Sequence, residues 1–355
     1  MKLKCPACNY DLDKTKSFSY TPSTIDKLPV FDNLKIICCG NCEFGMIEED
    51  IDEELLSKYY SSDYSGKAKK NATSASLNTK TIYSADTRAI SQIALIKNFI
   101  DLNDNIKILE IGAGAGGFLH TLRSMRINAK YISFEPQVDA HANLVEMGAS
   151  IENKNFSFLE ASKYAGEIDL VVMSHSLEHF NPGKIKKILQ GVEIVLKHNG
   201  LFFCEVPNAN LLRYPNAGEM IVPHLSFFSI DSIKSFLRDF SLEIKFINTC
   251  GDFQSRKDHK KQLANLKDQG WFEFYKDNDI LRNVRYQKYL KEQNKKFRRI
   301  NIFISIIIKM FGKSGFIFII NLYRKIKQES FNSLMSSKLF SYSEEREFIR
   351  FIAKK

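Results

Sequence analysis

ILEIGAGAGGFLHTL, residues 108–122, is the stretch whose reading decides the fold. An apolar run over residues 106–111 carries one acid, Glu110, and breaks at Gly112, Gly114, Gly116 and Gly117 into a helix expected over residues 118–125. Glycine adopts torsions that other residues avoid and lets a ligand approach the main chain. The helix behind such a turn offers free amides and the positive end of its dipole. Outward from the turn the pattern alternates. Residues 131–134 read as strand, 137–147 as a helix ended by Gly148, and 168–173 (IDLVVM) as a strand buried on both faces. Helix is expected again over 184–196, strand over 201–206, helix over 230–240 and strand over 242–248. Ahead of the turn, residues 86–100 read as a helix with Ile90, Ile93, Leu95 and Ile96 on its apolar side. This spacing implies a parallel sheet with helices on both faces, and ligands that bind outside the carboxyl ends of its strands.

A second acid, Glu135, closes the next strand (YISFEP), where a carboxylate can accept two hydrogen bonds from a ribose diol. The spacing Gly112-x-Gly114-x-x-Gly117 also fits a dinucleotide fingerprint. An acid two residues before the first glycine would face phosphate charge there, and it suits a cationic cofactor with a free amino group better. At this point the sequence resembles the class I S-adenosylmethionine-dependent methyltransferases, whose E/D-x-G-x-G-x-G turn is matched by Glu110, Gly112, Gly114 and Gly116. The resemblance continues in order through VVMSHSLEHF (171–180), KHNGLFFCEVPN (197–208) and HLSFFSIDSIKSFL (224–237). It implies a Rossmann-like seven-stranded sheet, S-adenosylmethionine as cofactor, Glu110 near the methionine amino end, and Glu135 on the ribose hydroxyls. Gly112, Ala113, Gly114, Gly116, Pro136 and Ser174 are implied to complete that lining. The third strand, near residues 151–152, is short, and Asn153, Asn155 and Glu160 stay open as the adenine contact.

By the same resemblance, the segment after IDLVVM faces the transferred methyl. It holds His175 and His179, four apart, and His224 matches another position near the active site. Methyl transfer to a hydroxyl or carbon acid needs aligned reactants and a group to take a proton. Imidazole suits that task near neutral pH. His179 is the first candidate base, ahead of His224 and His175; the alternative is that SHSLEHF only organises the cofactor loop. Glu178 reads as a structural hydrogen-bond partner and Asp169 as a structural or cofactor-loop contact. The His-x-x-x-His spacing as a metal site lacks a third ligand.

Cys5-x-x-Cys8 and Cys39-x-x-Cys42 are two knuckles of the kind that converge on structural zinc, with Pro6-Ala7 and Gly40-Asn41 as turn-forming neighbours. Cys38 falls outside the paired register, and Cys204 and Cys250 read as small buried groups. A zinc lobe before such a core resembles bacterial sugar methyltransferases of surface-polysaccharide and deoxysugar pathways. In their carbon-methylating branch a second nucleotide-type domain follows; this tail is shorter and lacks its alternation. The resemblance implies a small-molecule or lipid-linked sugar as substrate.

The chain has 355 residues, 44% hydrophobic, 26% charged and 12% aromatic, with a net charge of +10. That excludes disordered, collagen-like and disulfide-stapled chains. No secretory h-region opens it, so a reducing cytoplasm is expected. Four regions result: a zinc lobe (1–60), a linker or lid (61–81), a methyltransferase core (82–255) and a basic, mostly helical tail (256–355). Residues 256–327 hold 19 Lys and Arg against 6 Asp and Glu. Two apolar runs in residues 297–327 are each too short to span a bilayer. They suit core packing, a homodimer, or peripheral contact with an anionic membrane face. Residues 342–352 read as a short amphipathic helix. An RNA methyltransferase holding phosphate backbone with the zinc lobe and basic tail is the rival, weakened because long isoleucine and phenylalanine runs interrupt that tail and no aromatic-basic RNA-binding motif is present. A non-catalytic binding protein of the same fold is the third reading.

Overall fold

The structure, a computed structural model, describes residues 3–12, 16–20, 31, 34–63, 82–211, 224–253 and 346–355. In the amino-terminal lobe, β1 (Lys16–Tyr20), β2 (Leu34–Cys38) and β3 (Gly45–Ile47) pair antiparallel in sequence order. A two-residue strand lent by the core, β9 (Ser226–Phe227), adds to β3. Helix α1 (Glu53–Lys58) starts at Asp52, whose carboxylate accepts from the Glu54 and Leu55 amides. A π-turn over Tyr59–Asp63 follows it. Residues 64–81, most of the expected linker, lie outside the described residues.

The core alternates as the apolar pattern demands. In chain order it runs α2 (Ile82–Ile96), β4 (Lys107–Ile111), α3 (Gly117–Ser124), β5 (Lys130–Phe134), α4 (Val138–Glu146), β6 (Ala149–Glu152), α5 (Phe158–Ala161) and β7 (Ile168–Ser174). It continues with α6 (Ile185–Val195), β8 (Leu196–Pro207), α7 (Ile230–Leu237) and β10 (Glu243–Phe253). With a last strand, β11 (Arg346–Lys354), one sheet of seven strands results, ordered β10-β11-β8-β7-β4-β5-β6. β4 to β8 run parallel. Ile93, Phe118, Leu119 and Leu144 from α2, α3 and α4 cover one face; Ile185, Val192, Ile233 and Phe236 from α6 and α7 cover the other.

Two expectations are corrected. The first helix ends at Ile96, because Asn98 and Phe99 bond back to Leu95 and Ile96 in a tighter turn. Ala89, Ile93 and Ile96 form its buried stripe, and Ile90, one step off that stripe, is 42% exposed. More consequentially, the helix expected over residues 342–352 is a strand where described. β11 (Arg346–Lys354) lies antiparallel between β8 and β10 and completes the core sheet. The remainder of the basic tail, with its apolar runs, lies outside the described residues. Among the described residues no helix is long and apolar enough to cross a membrane.

Candidate active site

Because β4, β5 and β7 are parallel, their carboxyl ends open together onto one cavity of about 720 Å³. The glycine turn forms one wall. Gly112 sits at φ +79°, its amide donating to the Phe134 carbonyl at 2.9 Å. A Cβ there would stand 2.7 Å from that of Ser176. Gly114 faces open space, and its amide donates to Glu135 Oε2 at 2.6 Å. Glu135 Oε1 accepts from the Gln137 amide at 2.8 Å, so the carboxylate is fixed by main chain while it lines the cavity. Burial pushes its pKa up. Gly112→Ala is expected to cost about 1–2 kcal/mol from the left-handed backbone alone. The added contact with Ser176 enlarges that, which a lowered melting temperature and weakened S-adenosylhomocysteine binding would report.

Other residues expected here lie behind the wall. Gly116 packs where a Cβ would meet Met147 and Leu144 of the neighbouring helix layer. Glu110 is 3% exposed and does not line the cavity. It accepts a hydrogen bond from the Tyr131 hydroxyl, and burial pushes its pKa up to about 7. Ala113, Pro136 and Ser174 do line the cavity, and Ser174 Oγ accepts from Gln92 at 2.8 Å. Of the three residues left open near the third strand, Asn155 is on the wall, whereas Glu160 pairs with Lys154 and Lys163 at the surface.

The histidines separate. His179, on a 3₁₀ turn (Leu177–His179), lines the cavity with its Nδ1 3.0 Å from the Tyr60 hydroxyl. His224 is 4% exposed and packs edge to face on His179, ring centroids 4.8 Å apart. Burial and the neighbouring imidazole push its pKa down to about 3. His175 also lines the cavity, but its imidazole is engaged by Glu178 and Glu205 rather than by the other two rings. It takes a left-handed backbone (φ 54°), its amide donates to the Glu205 carbonyl, and its Nε2 lies 3.0 Å from Glu205 Oε1. Sequence reasoning missed this buried partner set. Glu205 and Arg350, both fully buried, form an ion pair, and Arg350 also donates to Ser91 Oγ at 2.9 Å. Arg88 adds a second cation 3.4 Å from Glu205. Burial opposes the Glu205 charge, but Arg350 and His175 outweigh it and hold the carboxyl far below its usual range. Asp169 is structural, accepting from the Lys107 amide and from Lys197.

The four cysteines of the two knuckles meet at one point. Their sulfurs lie within 4.8 Å of one another, with Cys5–Cys42 and Cys8–Cys39 each at 3.6 Å. A zinc tetrahedron with arms of about 2.3 Å would space them about 3.8 Å apart, so the donor set and its size fit that ion. Pro6-Ala7 and Gly40-Asn41 lie in the turns as expected. Asn9 and Glu43, each following a knuckle's second cysteine, take the left-handed backbone (φ 61° and 59°), and their amides return to the Cys5 and Cys39 carbonyls. Cys38 is buried in a separate cluster, and Cys204 and Cys250 are fully buried. The lobe is fixed to the core, with Ser229 donating to the Cys42 carbonyl at 2.8 Å.

Residues 85–245 match a family profile described as a methyltransferase domain. The fold is similar to a chain of the complex between the Haloferax volcanii Trm112 methyltransferase activator and a methyltransferase. That likeness has 15% identity, covers 49% of this chain and 77% of that one, and has a TM-score of 0.40. Haemonchus contortus phosphoethanolamine N-methyltransferase 2 with S-adenosyl-L-methionine is similar at 11% identity, over 79% of this chain and 58% of that one (TM-score 0.39). The cyclopropane synthase MmaA2 of Mycobacterium tuberculosis is similar at 11% identity, over 75% and 84% (TM-score 0.41). No curated protein matches the sequence. The matched domain falls on the residues that build the parallel strands and most of the cavity wall, so residues 85–245 form a methyltransferase domain of the S-adenosylmethionine-dependent kind.

Proposed function

We propose that this enzyme methylates a sugar or sugar-derived group, free or lipid-linked, destined for a surface glycan. The observation that carries the reading is one continuous cavity. Its lining joins bare main chain and a buried carboxylate with a histidine, a tyrosine and an asparagine (His179, Tyr60 and Asn181). The glycine turn and Glu135 fit the cofactor: a Cβ at Gly114 would point into open space, and Glu135 can face a ribose diol. Gly112, Ala113 and Gly114 would hold the methionine part, Pro136 and Asn155 the nucleoside, and Ser174 the region between. Glu110 and Gly116 would act from behind, by charge and by helix packing. When bound, S-adenosylmethionine supplies an electrophilic methyl group.

On the acceptor side of the reaction, Tyr60 orients the His179 ring. His179 takes the proton of an acceptor hydroxyl as its oxygen attacks, and the enclosing walls hold that oxygen in line and exclude water. Glu53, Tyr60 and Asn181 add polar groups to the lining that suit a polyhydroxylated acceptor. The four cysteines would hold a structural zinc with no open position. Cys39→Ser is expected to abolish zinc retention there and lower the melting temperature, read by metal analysis and a thermal melt. To identify the acceptor, labelled S-adenosylmethionine is offered to nucleotide-sugar, lipid-linked glycan and RNA fractions of the host. Label in a sugar supports the reading; label confined to RNA, or to no sugar-bearing molecule, overturns it.

A further inference from the structure

The turn that carries His179 also carries a charged group that methyl transfer leaves unused. Glu178 is 1% exposed, and neither of its carboxylate oxygens has a hydrogen-bond partner among the described residues. The closest charged contact is His175 Nδ1, 3.4 Å from Oε1, an ion-pair distance. Leaving a sealed carboxylate in that state is costly unless another positive group completes its surroundings. Two imidazoles flank it: one ligand atom from each of Glu178, His179 and His224 lies within 4.8 Å of the others. The sequence spacing offered His175 and His179 without a third donor. In the fold His175 turns to Glu205, and His224 arrives from a different part of the chain.

We propose that Glu178, His179 and His224 form a second metal site, for a divalent transition-metal ion. Two imidazoles and one carboxylate are a borderline set that suits zinc, iron or cobalt, and three protein ligands leave further positions open. The donor chemistry differs from that of the four thiolates. Outer-shell contacts of the kind that orient metal ligands are also present. Tyr60 holds Nδ1 of His179, and His175, itself held by Glu205, stands against Glu178. This proposal rests on the preceding reading in one respect only: the cation takes up the ring that would accept the substrate's proton. Metal occupancy and methyl transfer then exclude one another, and the site acts as a reversible brake.

The full-length protein is equilibrated with excess zinc, desalted and assayed for metal, beside Glu178→Gln and His224→Gln. The wild type is expected to retain one zinc equivalent per chain more than either variant. Cobalt(II) added to the wild type whose cysteines hold zinc should give visible bands without thiolate charge transfer, absent from both variants. Should one variant fail to fold, the other variant and the wild-type spectrum still decide. Equal metal content in all three proteins, or cobalt bands of thiolate character only, would overturn the proposal. Added zinc should also suppress turnover, and a chelator should restore it. If zinc binds as described and turnover is unchanged, the metal site stands and His179 is not the base.

Discussion

Replacing Arg350 by alanine is expected to remove about 3–5 kcal/mol of stability, the scale for breaking a buried ion pair by deleting one partner. The loss comes from what stays behind: Glu205, fully buried, would keep its charge with only the half-exposed Arg88 and His175 to offset it. The melting temperature should fall on the order of 10 °C. The double variant Arg350→Met, Glu205→Leu should recover much of it, since a matched apolar pair leaves no orphaned charge. An Arg350→Ala protein as stable as the wild type would remove the pair from the account of this fold. The same buried carboxylate sets the acid response. Burial opposes ionised Glu205, but Arg350 and His175 outweigh it and depress its folded pKa. Groups whose folded pKa is lowered contribute fully above the ordinary value of about 4.5, and that contribution drains as the pH falls below it. Denaturation midpoints measured across this acid range check the sign: stability should fall as the pH drops.

His179→Ala is expected to lower kcat by about 10²–10⁴-fold, the usual worth of a positioned general base. S-adenosylhomocysteine binding should change little, because the glycine turn and Glu135, not His179, are the groups proposed to hold the cofactor. Tyr60→Phe should give a smaller loss with the same binding, since it removes the hydroxyl beside Nδ1 and leaves the ring. Both are read as single-turnover rates with the labelled acceptor once it is identified. A loss of less than about tenfold in His179→Ala would shift proton removal elsewhere.

The strand–helix alternation and the glycine turn were legible because each parallel strand is a short apolar run bounded by turn residues, and each helix repeats every 3.6 residues. The cysteine knuckles were legible from spacing alone. What was missed depends on pairing across long distances. β11 contains Phe348, Ile349, Phe351, Ile352 and Ala353 around Arg350, and an arginine inside an apolar run reads as the polar face of a helix. Only the fold shows it meeting Glu205, 145 residues away in the chain. The resemblance implies Glu110 near the methionine amino end; only the fold shows how it is held. On the strand it shares a face with Ile108, on the opposite side from Leu109 and Ile111, and bonds Tyr131. His175 and His179 would share a face only in a helix. The segment is not a helix, and the left-handed backbone of His175 sends its ring toward β8.

The placement of β11 governs the order in which a nascent chain can mature. β8 and β10 are synthesised well before it, and each must wait with an unpaired backbone edge until the ribosome has delivered residues 346–354. Throughout that interval the half-built sheet offers ready hydrogen-bonding templates to other polypeptides. Elongation rate and early chaperone capture should therefore govern the yield of this protein in a cell more than its equilibrium stability does.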